Sequence, residues 1–273
     1  MSGSGSNAEA LINFERASEE CSYHVTALVT DAPVESRARS IAAKYGLPLV
    51  EHDIKAFYRS HGEESTKLDT PRRRELRDLW SDELYKLIMV HAPCFACFAG
   101  FVPLSNIASR IPCLNVHPGD LTRCDSEGRR LYAGLHVLPV EKAILNGEKS
   151  LRSSVILVQP YTGSGAKEMD AGPVIGISEP LPIDTGGLTL EELAAMRSAR
   201  QPGVKVCDRL RQMALEHIEL LKVAGDHVVF PRAAAEFASG VFAEEGNDLY
   251  YRGDKVLSVV YSTTGSPEKI LKK

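Results

Sequence analysis

Long apolar runs are missing from this sequence. Its longest, such as "FACFAGFVPL", fall well short of the ~20 residues a membrane-spanning helix needs. An excess of positive charge is missing as well: 32 Lys and Arg against 36 Asp and Glu leave a formal net charge of -4. There is thus no electrostatic footprint for nucleic acid. The N-terminus carries neither the charged segment nor the apolar segment of a secretory signal, so the expected location is cytoplasmic. The six cysteines, Cys21, Cys94, Cys97, Cys113, Cys124 and Cys207, follow no disulfide framework and are expected as free thiols. Cys94 and Cys97 form a CxxC, but it lies in "PCFACFAGF", which reads as a buried strand. No second CxxC completes a zinc site, and both cysteines are expected in the core. Internal repeats and low-complexity segments are also absent.

What remains is the composition of an ordinary globular protein, with 44% hydrophobic and 25% charged residues over 273 positions. That length suits one large domain, or a domain with an appendage. The first half alternates helical and strand patterns. Helices are expected over 7–20, 34–46 and 70–91, and strands over 23–31, 47–53, 94–101 and 113–118. This alternation predicts an α/β fold with a doubly wound, Rossmann-like, mostly parallel sheet, whose ligands bind beyond the carboxyl ends of the strands. Further on come a polar loop at 120–134, a helix at 138–149, strands at 151–161 and 172–181, and a linker with helical character at 184–203. A long helix at 204–225 is expected to close at Gly225, and the turn signals Gly246-Asn247 and Gly253-Asp254 suggest a small β meander in the tail. The expected division is a main domain over 1–230 and a β-rich appendage over 231–273.

Four stretches carry polar residues where an α/β protein displays a site. "SGSGSN" (2–7) opens a helix; its glycines allow close approach, and the N–H groups of a helix start attract phosphate. Taken alone, a Gly/Ser-rich N-terminus reads more simply as a flexible tag. "LNVHP" (114–118) places Asn115 and His117 two positions apart on a strand, so they share a face at its carboxyl end. In "EMDAGPVI" (168–175), Asp170 is a turn former that beside a histidine would orient the imidazole. "ALEHIELL" (214–221) sets Glu216 and His217 on a helix, where a solvated face is the ordinary reading.

Taken in this order, the stretches resemble the folate-dependent formyltransferases, most closely the phosphoribosylglycinamide branch. The resemblance rests on "SGSGSN", "AGF" at 99–101, "NVHP", "DAGP" at 170–173 and "EH" at 216–217, and covers about residues 2–230. It implies the formyltransferase fold and an attack by a substrate amine on the formyl carbon of 10-formyltetrahydrofolate, the co-substrate, without a metal. Asn115 and protonated His117 would stabilise the oxyanion, and Asp170 would hold His117 and help move the proton. Gly3, Ser4, Gly5, Ser6 and Asn7 would grip the substrate phosphate, with Glu216 on the ribose hydroxyls and Pro118 beside the substrate. Phe101, Val102, Leu104 and Met169 would lie against the pterin. The implied partners are small molecules, with neither nucleic acid nor membrane, and the chain would be a monomer or homodimer.

The sequence departs from the family in places. After His-Pro it runs "GDLTRCDSEGRRLYAGLH", longer and more charged than the family's segment. "AGFVPLS" is a residue shorter and lacks an arginine, and Met213 stands where a polar contact is usual. The acceptor therefore stays open: glycinamide ribonucleotide leads, with an amino sugar nucleotide, or water in a deformylase, as alternatives. A non-catalytic folate- or nucleotide-binding protein is the reading from another class. The phosphate loop also lacks the strand that precedes it in this family, so the expectation is a truncated sequence with an apolar strand upstream of Met1.

Overall fold

The computed structural model describes residues 1–19, 21–160, 170–246 and 248–272. It divides into two compact units, one of residues 1–115 with 157–172, the other of 116–156 with 173–273. The fold is α/β, with parallel strand pairs and flanking helices.

The first unit opens with α1 (Ser6–Ala17), followed by β1 (Leu28–Thr30), α2 (Ala38–Tyr45), β2 (Leu49–Glu51), α3 (Ile54–Ser60), α4 (Pro71–Met89), β3 (Ala96–Phe98) and β4 (Cys113–His117), whose last two residues belong to the second unit. β1 pairs with β2, and β3 with β4, both in parallel. Local chemistry fixes two of the helix starts. Asp53 caps α3 by accepting the Ala56 N–H, and Thr70 caps α4 by accepting the Arg73 N–H, with Pro71 at the first helical position. α4 buries Leu76, Trp80, Leu84 and Ile88 at helical spacing against Tyr58, Ile107 and Cys113. Trp80 is fully buried, and its ring stacks with those of His52 and Phe101. α3 has no counterpart in the sequence reading, because seven residues are too few for a clear apolar period. The strand expected over 23–31 shortens to β1, and Tyr23 instead donates to Leu11 O and sits edge-on to Phe95.

The second unit contains α5 (Leu138–Leu145), β5 (Ser150–Leu151), β6 (Ser154–Leu157), β7 (Val174–Ser178), β8 (Leu181–Pro182), α6 (Leu190–Ser198), α7 (Arg209–Leu221), α8 (His227–Ala238), β9 (Phe242–Glu245), β10 (Asp248–Tyr251), β11 (Asp254–Tyr261) and β12 (Glu268–Leu271). β6 is antiparallel to β7, β7 is parallel to β11, and β9, β10 and β12 extend the sheet in antiparallel fashion. The strands after residue 231 therefore build directly onto β7. Glu236 on α8 fastens them by accepting from the hydroxyls of Tyr251 and Tyr261 and from Arg252.

Gly225 does not end a helix as the sequence suggested. α7 passes through a π-helical turn, Lys222–Asp226, into α8. The glycine is there for space: a Cβ on it would lie 2.5 Å from Ser153 Oγ. The cysteines are all free, as expected. Cys94, however, is exposed, because β3 begins only at Ala96, while burial pushes the Cys97 thiol far up.

Candidate active site

β4 carries the polar pair at its end. Cys113, Leu114, Val116 and His117 are buried and Asn115 is half-buried, and Asn115 pairs in register with Phe98 of β3. His117 is 4% exposed. Its Nε2 lies 2.7 Å from the carbonyl oxygen of Tyr132. A carbonyl can only accept, so Nε2 carries the hydrogen and donates. In the neutral ring the lone pair then belongs to Nδ1, the nitrogen able to take up or return a proton.

The turn after His117 is built tightly. Gly119 donates to His117 O, and a Cβ on Gly119 would lie 2.8 Å from Tyr132 O and 3.0 Å from His117 Nε2. Ser154 Oγ donates to Gly119 O and accepts from the Leu121 N–H, tying this turn to β6. The long polar loop forms a small hairpin, with a bridge between Cys124 and Arg130 and Asp125 accepting from the Glu127 and Arg129 N–H groups. Pro118 is half-buried at its base.

In the first unit, "SGSGSN" leads into α1. Gly5 is the residue before the helix, in the left-handed region at φ 74°, and no side chain caps the helix start. Met1 Cε and Ile41 Cδ1 would each lie 2.4 Å from a Cβ there, so this position demands glycine. Gly3 and Ser4 are exposed, Ser6 and Asn7 half-buried. Gly3 O accepts from the Arg37 N–H. Glu9 in the first turn is neutralised by Lys44 and Arg37; the Lys44 hydrogen bond is the main cause holding its carboxyl below the usual range. Met1 and Ser2 reach both neighbouring strands. The Met1 amine donates to Val29 O of β1, and Ser2 N–H donates to Gly100 O just after β3. Ser2 Oγ donates to Asp31 and accepts from the Val102 N–H. Burial pushes the Asp31 carboxyl up, with the Ser2 hydroxyl opposing.

The residues expected at the pterin divide. Phe101 is half-buried and stacked 6.1 Å from Trp80, so its ring also belongs to the core. Val102 is exposed. Leu104 is half-buried, and its carbonyl accepts from the buried Arg77, whose other arm donates to Thr66 O. Met169 lies outside the described residues. Asp170 is buried with φ 59°, a left-handed conformation that Asp adopts more readily than most residues. It is followed closely by Gly172, where a Cβ would collide with Leu157 O at 1.7 Å.

In the second unit, Glu216 is exposed and accepts from Arg209 through both carboxylate oxygens. His217 corrects the expectation of a solvated face. It is buried, its Nδ1 donates to Met213 O, and its Nε2 accepts the Asp184 N–H. Met213 is itself buried in the core.

No family model matches the chain, and no curated protein matches it. Solved structures do. Glycinamide ribonucleotide transformylase 1 from Symbiobacterium toebii superposes with a TM-score of 0.59 at 20% identity, over 92% of this chain and 91% of its own. The phosphoribosylglycinamide formyltransferase of Anaplasma phagocytophilum gives 0.58 at 20%, over 95% of both chains. A formyltetrahydrofolate deformylase from Pseudomonas syringae gives 0.60 at 12%, over 92% of this chain and 63% of its own.

The chain has the formyltransferase fold.

Within the formyltransferase fold, sequence reasoning missed several residues of the site's surroundings. Gly119 had a visible signal, a glycine directly after His-Pro. Tyr132 had none, because it acts through its backbone carbonyl. Ser2 and Asp31 are 29 positions apart, and only folding joins them. Among the described residues, no group of three or more His, Cys, Asp or Glu is placed to hold a metal, and no helix is long and apolar enough to cross a membrane.

Proposed function

We propose that this protein is an enzyme that transfers a formyl group from 10-formyltetrahydrofolate to the primary amine of a phosphorylated acceptor, with glycinamide ribonucleotide the leading candidate. The observation that carries this reading is the end of β4: Asn115 and His117 stand two apart on a strand, with the imidazole anchored through Nε2. In the reaction the amine nitrogen bonds to the formyl carbon and the carbonyl oxygen becomes an oxyanion. The carbon–N10 bond then breaks, and the amine's proton passes to the departing nitrogen. The Asn115 amide and the protonated His117 ring would donate to the oxyanion, and Asp170 would help carry the proton. Gly3, Ser4, Gly5, Ser6 and Asn7, at a helix start without a side-chain cap, would receive the phosphate, and Glu216 would accept from the ribose hydroxyls. Phe101, Val102, Leu104, Met169 and Pro118 would line the folate and substrate.

A second reading replaces the amine by water, making the protein a deformylase. The superposition on the Pseudomonas syringae enzyme favours keeping it, as does the elongated hairpin beside His117.

The test follows formyl transfer with glycinamide ribonucleotide, with amino sugar nucleotides and without acceptor. Turnover with glycinamide ribonucleotide alone supports the first reading, and tetrahydrofolate release without acceptor supports the second. Asn115→Ala and His117→Ala are each expected to lower kcat by about 10²–10³-fold while folate still binds. A wild-type protein that binds folate but turns over nothing overturns both readings and leaves a binding protein.

A further inference from the structure

We propose that Tyr132 is a positioning residue for His117: its carbonyl fixes the imidazole's tautomer and orientation, and its phenol, anchored on Glu148, fixes the carbonyl. This rests on the reading of His117 as the group that acts on the formyl oxygen and the transferred proton.

His117 and Tyr132 are 4% and 2% exposed, so water does not compete for the 2.7 Å bond between them. Gly119 leaves no room for the ring or the carbonyl to swing toward it, since even a methyl group there would press on both. The Tyr132 hydroxyl donates to Glu148 Oε1 at 2.5 Å and accepts from Asn146 Nδ2 at 3.4 Å. Arg123 reaches the same Glu148 oxygen at 3.2 Å. Burial pushes the phenol up to about 12, so it stays protonated and remains a donor at neutral pH. The hairpin lies between His117 and Tyr132 in sequence, and their hydrogen bond spans its base. A long insertion can thus sit next to the catalytic strand while the imidazole stays in register. Glu148 joins the two, receiving Tyr132 from the hairpin's end and Arg123 from its first arm.

The experiment uses the full chain with Tyr132→Phe, Glu148→Gln and Glu148→Ala. It measures kcat, both KM values and the His117 tautomer by long-range ¹H–¹⁵N correlation. Wild type is expected to hold its hydrogen on Nε2. Tyr132→Phe and Glu148→Ala are expected to lower kcat by about 10-fold, the scale of one net hydrogen bond lost, with both KM values unchanged. They should also mix the tautomer signals. Glu148→Gln keeps an acceptor for the phenol and should stay within about twofold of wild type. An Nδ1–H tautomer in wild type, or unchanged kcat and tautomer in both Tyr132→Phe and Glu148→Ala, overturns the proposal. Absence of all wild-type turnover overturns the enzymatic reading instead, while the tautomer spectra still decide whether Tyr132 holds the ring.

Discussion

Glu141 is the residue on which the second unit's helices depend most visibly. It sits on α5 with its side chain 2% exposed, accepts from Arg200 and Arg197, and forms an ion pair with Arg211 at 3.5 Å. Arg200 also grips Asp208, the residue that caps α7, and its hydrogen bond is the main cause holding the Asp208 carboxyl down. Glu141→Gln takes one of two carboxylates from Arg200, which keeps Asp208. Weakening these charged hydrogen bonds is expected to cost about 1–3 kcal/mol and to lower the urea midpoint accordingly. The exposed pair Arg209–Glu216 should behave differently, and Arg209→Gln should change stability by less than about 1 kcal/mol in the same assay. None of the Glu141 network was legible in sequence. A glutamate in an apolar helix gives no sign that three arginines from later elements will converge on it.

At the scale of elements, the Thr70-Pro71 helix start was read from its capping signal, and α4 begins there. The next long helix was expected from 204, but α7 begins at Arg209, where Asp208 caps it by accepting the Arg211 N–H. Gly225 carries the signal of a helix end and is instead buried inside a π-helical turn. Ser153 approaches there, and its hydroxyl donates to the adjacent Asp226. Gly225→Ala tests this. An ordinary helical glycine becomes more stable on gaining a methyl group, by about 1 kcal/mol. Here the methyl would overlap Ser153, and a loss of about 1–3 kcal/mol is expected by thermal or urea unfolding. An increase in stability would mean the turn is a plain helix terminus.

Across the whole molecule, two half-buried histidines tie stability to pH. Burial lowers both His52 and His227 below their ordinary value of 6.5. Glu83 and Asp53 oppose the shift at His52, and Asp226 opposes it at His227 while Lys222 adds to it. The unfolded chain therefore takes up protons before the folded one. Stability from these groups is complete above 6.5 and is lost as pH falls from there toward the folded values. His52→Phe keeps a ring in the stack with Trp80 and removes one titrating group. Its urea midpoint is expected to fall less than that of wild type between pH 7.5 and 5.5, and equal losses in the two proteins would show that His52 does not contribute.

The sequence by itself determined the alternation of strands and helices, the placing of Asn115 and His117 on one strand end, and the glycine loop opening α1. Each is written in neighbouring residues, through periodicity, capping and backbone freedom. Tertiary structure alone decided which ring nitrogen of His117 carries the hydrogen, because its partner is a backbone carbonyl 15 residues away. It alone ran α7 on into α8, made His217 a buried strut for Asp184, and joined Ser2 to Asp31. These are relations between atoms that only packing brings within 3 Å or so, and a carbonyl, unlike a side chain, leaves no mark in the order of residues.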